Sequence, residues 1–250
     1  MLRVLAFLLL SSALVAQEPA GEESSNWSGA ASAGLIFVTG NNESTISSAD
    51  LSTKWEVPGQ RWIFSAKYAA VRQTDPVTSD ASTSSRLYRG AVEHHRFLDD
   101  ENNLYLYGKG SAFRNVPTGL QVREDLGLGA GYTWRWKDGD AQFSLEGGPS
   151  ALKENLVLLP AGDTALNGRA ACGYENKISD DLKATFKAEF FQSFDVSADR
   201  SATAEAKLRW QMTEAAWYLE AGVATAWDNT PAPGFEKTDW IYTLQVGTSW

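Results

Sequence analysis

Period-two alternation runs from about residue 26 to the last residue, and it restricts the fold more than any other feature of the chain. In 182–190 the even positions are Leu182, Ala184, Phe186, Ala188 and Phe190, against Lys183, Thr185, Lys187 and Glu189. In 202–212 Ala202, Ala204, Ala206, Leu208, Trp210 and Met212 alternate with Thr203, Glu205, Lys207, Arg209 and Gln211. Successive side chains of a strand point to opposite faces, so each segment has one apolar and one polar face. No stretch beyond residue 24 sustains a helical period or reaches the length of a transmembrane helix.

Twelve such segments can be read: 26–38, 44–55, 61–72, 86–97, 104–114, 122–136, 141–153, 165–177, 182–194, 201–212, 215–227 and 238–250. Connections after even-numbered segments are tight and polar, as in Val57-Pro58-Gly59-Gln60 and Lys137-Asp138-Gly139-Asp140. Those after odd-numbered segments are expected to be longer, notably 73–85, 154–164 and 228–237. Short turns on one side, longer loops on the other and an even strand count describe an outer-membrane barrel with both termini on the periplasmic side. A secreted β-sandwich also alternates, but its strands run to about 5–6 residues, whereas a tilted bilayer crossing needs about 9–11. All 10 tryptophans, Trp27, Trp55, Trp62, Trp134, Trp136, Trp210, Trp217, Trp227, Trp240 and Trp250, fall near segment ends on the apolar parity. An aromatic girdle places them so. The fold class is therefore all-β, a single antiparallel transmembrane β-barrel of about 12 strands over 26–250.

The N-terminus reads as an export signal. Arg3 precedes an apolar run, Val4 to Leu10, and small residues up to Ala16 then offer a cleavage site. Residues 1–16 are the expected signal peptide and 17–25 a short periplasmic segment able to reach back toward the barrel mouth. The net charge of −9 argues against a nucleic-acid binder, and a single cysteine, Cys172, excludes an intramolecular disulfide framework. Cys172 falls on the apolar parity and is expected to face lipid.

Three stretches carry a resemblance. One is Trp27 with Gly34 through Thr39-Gly40-Asn41-Asn42-Glu43-Ser44-Thr45. The second is Asp125-Leu126-Gly127-Leu128-Gly129-Ala130-Gly131-Tyr132 followed by Leu145-Glu146-Gly147-Gly148-Pro149. The third is Pro233-Gly234-Phe235-Glu236-Lys237-Thr238-Asp239. In this order they resemble the salt-stress-induced outer-membrane barrels of unknown function, the YdiY-like family. Asn42 stands where threonine is common there, and Trp250 where phenylalanine is commoner. The resemblance implies a single outer-membrane barrel linked to osmotic or acid stress, and no established activity.

If the apolar parity faces lipid, the other lines the lumen. Its expected basic members are Lys54, Arg61, Lys67, Arg89, Lys109, Arg135, Arg169, Lys183, Lys187, Lys207 and Arg209. The acidic ones are Asp50, Glu93, Asp125, Glu146, Glu175, Glu189, Glu205, Glu220 and Asp239. A lysine or arginine on the lipid face would cost about 2–4 kcal/mol at midplane, so this sorting needs no appeal to transport. A salt-bridged interior and a conducting pore both fit it. Gly127, Gly129 and Gly131 leave room beside one wall, although sheet curvature is the reading preferred here.

The alternating tail Tyr242, Leu244, Val246 and Trp250 resembles the signal by which the barrel-assembly machinery selects clients, an edge strand with unpaired backbone groups. His94 and His95 are the only histidines. They lie on opposite faces just before a turn, with no partner evident in sequence, so no catalytic role is expected. Asp99-Asp100-Glu101 is read as a solvated turn rather than a Ca²⁺ site, and the sequon Asn26-Trp27-Ser28 carries no weight in a bacterial protein. The expectation is a monomeric barrel of the bacterial outer membrane, without cofactor or metal. Its partners are outer-membrane lipid and lipopolysaccharide, the assembly machinery during insertion, and no nucleic acid. Its role is that of a narrow passive channel or an envelope-stress structural protein. The rival is an outer-membrane hydrolase, a lipase or protease, on the same scaffold. An adhesion barrel is disfavoured because the longest expected loop, 73–85, lacks aromatic anchors.

Overall fold

A computed structural model describes residues 26–38, 43–74, 81–116, 120–157, 162–212, 216–231 and 236–250. The expected signal peptide and the segment 17–25 lie outside the described residues. The strands are β1 (Trp27–Val38), β2 (Glu43–Val57), β3 (Gln60–Thr74), β4 (Ala81–Phe97), β5 (Leu104–Asn115), β6 (Leu120–Trp136), β7 (Ala141–Leu156), β8 (Thr164–Lys177), β9 (Leu182–Ser193), β10 (Arg200–Gln211), β11 (Trp217–Asp228) and β12 (Thr238–Ser249). Each pairs antiparallel with its sequence neighbour, and β1 closes on β12, so the barrel has 12 strands.

Alternation determines which face of each strand is wet. Leu126 and Leu128 are 70% and 64% exposed on the outer wall of β6, while Asp125 between β5 and β7 is buried inside. An outer wall this apolar is stable only against lipid or another apolar surface. The interior is polar, with Arg169, Glu189, Glu220, Gln245 and Lys109 all buried.

Strands β2 to β8 are longer than the sequence reading allowed. β3 continues to Thr74 and β4 begins at Ala81, so the expected 13-residue loop 73–85 shrinks to 75–80. The connection after β7 is 157–163 rather than 154–164. Polar Ser/Thr-rich stretches sounded like loop, but such residues pair readily on a strand whose faces are both wet. A register shift on β4 opposite Val71 and Arg72 absorbs the irregular sequence there. The contrast between short turns and long loops is thus milder than expected, although the longest connection, 229–237, lies on the loop rim.

The turn rim carries eight of the tryptophans; Trp227 and Trp240 alone sit at the loop rim. Pro58-Gly59 closes β2 on β3, with Gly59 at φ 80°, where a residue bearing Cβ would be strained. Asp181 in the β8–β9 turn accepts a hydrogen bond from Trp210 Nε1 at 3.2 Å and fixes that ring at the rim. A hydrogen bond from Ser179, and then this one, hold the Asp181 carboxyl below its ordinary pKa.

Closure rests on a short seam. β1 and β12 register from Ala30↔Ser249 to Ala33↔Val246. Gly29 and Trp250 extend it with reciprocal backbone hydrogen bonds of 2.9 and 3.0 Å. On the inner side Ser32 Oγ donates to Gln245 Oε1 at 3.0 Å. Tyr242, Leu244, Val246 and Trp250 all present exposed side chains to the outside.

Candidate functional site: an ion-paired lumen

The inner wall brings charges from strands distant around the barrel into contact. Glu189 on β9 is the centre of one group. It receives Arg89 of β4 at 2.7 Å and Arg169 of β8 at 2.8 Å, and it pairs with Lys109 of β5. β4 and β9 are five strands apart around a ring of 12, so the Arg89–Glu189 pair crosses the lumen. Arg169 also reaches Glu146 of β7 at 2.9 Å, and Tyr105 donates to the same carboxylate at 3.0 Å.

A second group fills the side facing the seam. Lys207 of β10 contacts Asp50 of β2 at 2.7 Å, Glu220 of β11 at 3.0 Å and Glu205 at 3.6 Å. Lys67 of β3 pairs with Glu205, again across the lumen. Arg209 holds Glu220 at 2.8 Å and lies 3.8 Å over the Tyr218 ring. A third crossing stands near the loop rim, where Arg123 of β6 pairs with Glu154 of β7 and reaches Asp228 of β11 at 3.1 Å. Asp199 in the loop before β10 lies near this group. Burial, and then the charge of Asp228, raise its carboxyl above the ordinary range.

Most sequence-derived lumen residues fall into these groups: Lys67, Arg89, Lys109, Glu146, Arg169, Glu189, Glu205, Lys207, Arg209 and Glu220. Glu93 pairs with His95. Asp125 is buried on the inner wall at 6% exposure. Lys187 shares the inner parity, but it is exposed and has no ion-pair partner among the described residues. Four lie at the turn rim rather than in mid-lumen: Lys54 and Arg61, paired with Glu56 at 3.0 and 2.7 Å, and Lys183 with Glu175 at 2.7 Å. Arg135 is a correction. It bends out to the β4–β5 turn, donating to Asn103 Oδ1 and to the Asn102 carbonyl at 3.1 Å. Its place one residue from the strand end puts those free acceptors closer than any lumen carboxylate.

Arg123, Glu154 and Asp228 were missed. Arg123 had the inward parity and could have been found. Glu154 and Asp228 stood just past strands that were ended too early.

The inward aromatics were missed as well. Tyr105 faces Gly131, Tyr107 faces Gly129 and Tyr218 faces Gly247 in register. A Cβ at Gly131 would meet the Tyr105 ring at 2.5–2.6 Å, and one at Gly129 the Gly147 carbonyl oxygen and, at 2.8 Å, the Tyr107 hydroxyl. Gly131 and Gly247 therefore seat tyrosine rings, whereas Gly129 also admits the close approach of the β7 backbone. The signal was a tyrosine and a glycine directly opposite, which appears only once the register is known.

His95 is the other correction. It is 4% exposed inside the barrel, its ring stacks on Tyr105 at 4.3 Å, and its Nε2 meets Glu93 and lies 3.9 Å from Glu146. Sequence reading considered the pair at i, i+1 and passed over Glu93 and His95 at i, i+2, which share a face. The ligand atoms of Glu93, His95 and Glu146 lie within 4.8 Å of one another, a set that can hold a divalent cation. Arg169 competes for Glu146 at 2.9 Å. His94 faces outward, its ring 4.4 Å from Trp62.

The barrel is similar to solved outer-membrane proteins at identities that establish the fold alone. The NanC porin shares 10% identity and a TM-score of 0.50, covering 90% of this chain and 98% of that one. An outer membrane channel from Pseudomonas putida F1 gives 10%, 0.47, 90% and 95%. The translocator domain of the autotransporter NalP from Neisseria meningitidis gives 12%, 0.43, 90% and 87%. No curated protein matches the sequence. Residues 31–250 match the family described as "Protein of unknown function, DUF481". With nearly all of the barrel inside that match, the chain belongs to the DUF481 family.

Proposed function

We propose that the protein is a narrow passive channel of the bacterial outer membrane, without enzymatic activity, whose lumen is constricted by a belt of ion pairs. The observation that carries this reading is the set of three lumen crossings, Arg89–Glu189, Lys67–Glu205 and Arg123–Asp228. Charges of opposite sign in near balance leave little net charge in the lumen, so small ions of either sign pass with little selection, and solutes wider than the gaps are excluded. Partly exposed pairs weaken as salt screens them, which agrees with the resemblance to salt-induced barrels. The purely structural reading differs in having a belt that never parts.

Single-channel conductance of the refolded protein in a planar bilayer tests the reading. Wild type is expected to give small, weakly selective steps that grow faster with salt than bulk conductivity does. Glu189→Gln leaves Arg89, Lys109 and Arg169 short of their shared carboxylate, and is expected to give larger, anion-preferring steps. Silence from both, with folding verified by heat-shifted gel mobility, sinks the channel and leaves the structural role.

One observation favours the hydrolase rival: the carboxylate-flanked His95. Its ring meets the carboxylates of Glu93 and Glu146, and among the described residues no serine or threonine hydroxyl and no cysteine thiol is hydrogen-bonded to it. A histidine base without a nucleophile lacks the arrangement that acyl transfer needs. Lipase or protease activity abolished by His95→Gln would restore the rival.

A further inference from the structure

The outer wall of β3, β4 and β5 breaks the rule that the outside is apolar. Arg72, Arg86 and Arg114 are exposed there, on the same parity as Tyr68, Tyr88 and Ala112. None has an acidic partner within 4.0 Å among the described residues; the Arg86 guanidinium donates to Thr83 Oγ1 at 3.3 Å. Arg114 is registered beside Tyr88, and the Tyr68 and Tyr88 rings lie 5.2 Å apart below the arginines.

The height of this cluster is informative. Arg72 lies ten residues up β3 from Trp62, and Arg114 ten up β5 from Leu104. At about 3.3 Å per residue and a tilt near 40°, ten residues climb about 25 Å, the height of the apolar band of such barrels. The arginines therefore stand at the headgroup level of the leaflet opposite the termini, where an outward cation costs little. Below them the wall is hollow. A depression of about 670 Å³ is lined by Leu51, Ala66, Tyr88, Gly90, Ala112 and Arg114. A second of about 560 Å³ continues it past Phe64, Val92 and Gly110. A Cβ added at Gly90 would meet nothing within 4 Å, so the hollow follows from missing side chains.

We propose that this face binds a phosphorylated glycolipid of the outer leaflet, its phosphates held by Arg72, Arg86 and Arg114 and an acyl chain lying in the groove beneath. Charge complementarity selects the occupant. Guanidinium groups pair with phosphate in fork geometry, and the groove is apolar where a chain would lie. This goes beyond the channel reading and does not depend on conduction; it uses only the outer-membrane setting.

Native mass spectrometry of the refolded full chain in nonionic detergent tests it, with diphosphoryl lipid A as probe. Wild type is expected to retain one lipid A. The triple variant Arg72→Gln/Arg86→Gln/Arg114→Gln should lose at least ten-fold in affinity, while Arg200→Gln on the opposite wall leaves it unchanged. Gly90→Leu/Ala112→Leu fills the groove and should weaken lipid A several-fold without displacing the arginines. Inorganic phosphate that displaces lipid A completely at equal concentration overturns the groove. Equal affinity of wild type and the triple variant, both migrating as folded barrels, overturns the site.

Discussion

The two walls of the barrel handle charge in opposite ways. On the inner wall the mid-lumen cations of the two main groups, Lys67, Arg89, Lys109, Arg169, Lys207 and Arg209, each meet a carboxylate. On the outer wall of β3–β5 three arginines meet none among the described residues. Inside, a buried charge without a partner is expensive, so partners are built into the sequence. Outside, at the headgroup level, the membrane can supply the partner. Pairing therefore records where solvent and lipid are, as much as it stabilises.

The largest expected effect comes from breaking the inner pairing where it is most buried. The Arg169 side chain is 2% exposed and bridges Glu146 and Glu189. Arg169→Ala removes the guanidinium that these two carboxylates share, leaving Glu189 to Arg89 and Lys109 and Glu146 to the Tyr105 hydroxyl, and losing one partner of a buried pair costs about 3–5 kcal/mol. Urea unfolding of the refolded barrel, followed by tryptophan fluorescence, should show it. A loss below about 1 kcal/mol would mean that water already reaches the pair.

The converse change moves charge to the wrong wall. Leu128 is 64% exposed on the outside of β6, in the span between the rims. Leu128→Lys should cost about 2–4 kcal/mol in a bilayer, and little in a detergent that lets the lysine reach water. Equal stability in lipid would show that this face is not in the apolar band.

How much of this was legible beforehand follows the same division. Alternation fixes parity, and parity gave the strands, the outer wall and most inner charges, because a one-residue error would turn a strand inside out. Register was not legible. The partnership of Arg89 with Glu189, or of Tyr105 with Gly131, depends on stagger and closure, which no local pattern encodes. Strand ends were misjudged where Ser82, Thr83 and Ser85 resembled loop, and that error hid Glu154 and Asp228 on other strands. The surroundings of His95 were not legible for a different reason: parity makes Glu93 a wall charge and does not show that its carboxylate meets the ring.

A packing test separates the tyrosine–glycine seats from the charges around them. Gly131→Ala drives a Cβ into the Tyr105 ring, and overpacking of this kind costs about 1–3 kcal/mol. Combined with Tyr105→Ala the penalty should shrink, since the ring that clashes is gone. Strictly additive losses in the double mutant would assign the cost to the strand backbone instead.

The smallest effect is expected at the turn rim, where inner wall and solvent meet. Lys54 pairs with Glu56 at 3.0 Å, but its side chain is 43% exposed and Arg61 holds the same carboxylate at 2.7 Å. An exposed pair contributes about 0–1 kcal/mol, and here a second cation already satisfies Glu56. Lys54→Ala should therefore shift the unfolding midpoint barely, and the difference from wild type should vanish as salt rises to about 1 M, where the Debye length falls to about 3 Å. A large, salt-insensitive loss would place Lys54 inside the desolvated lumen. The boundary between the two treatments of charge would then lie closer to the turns than the exposures indicate.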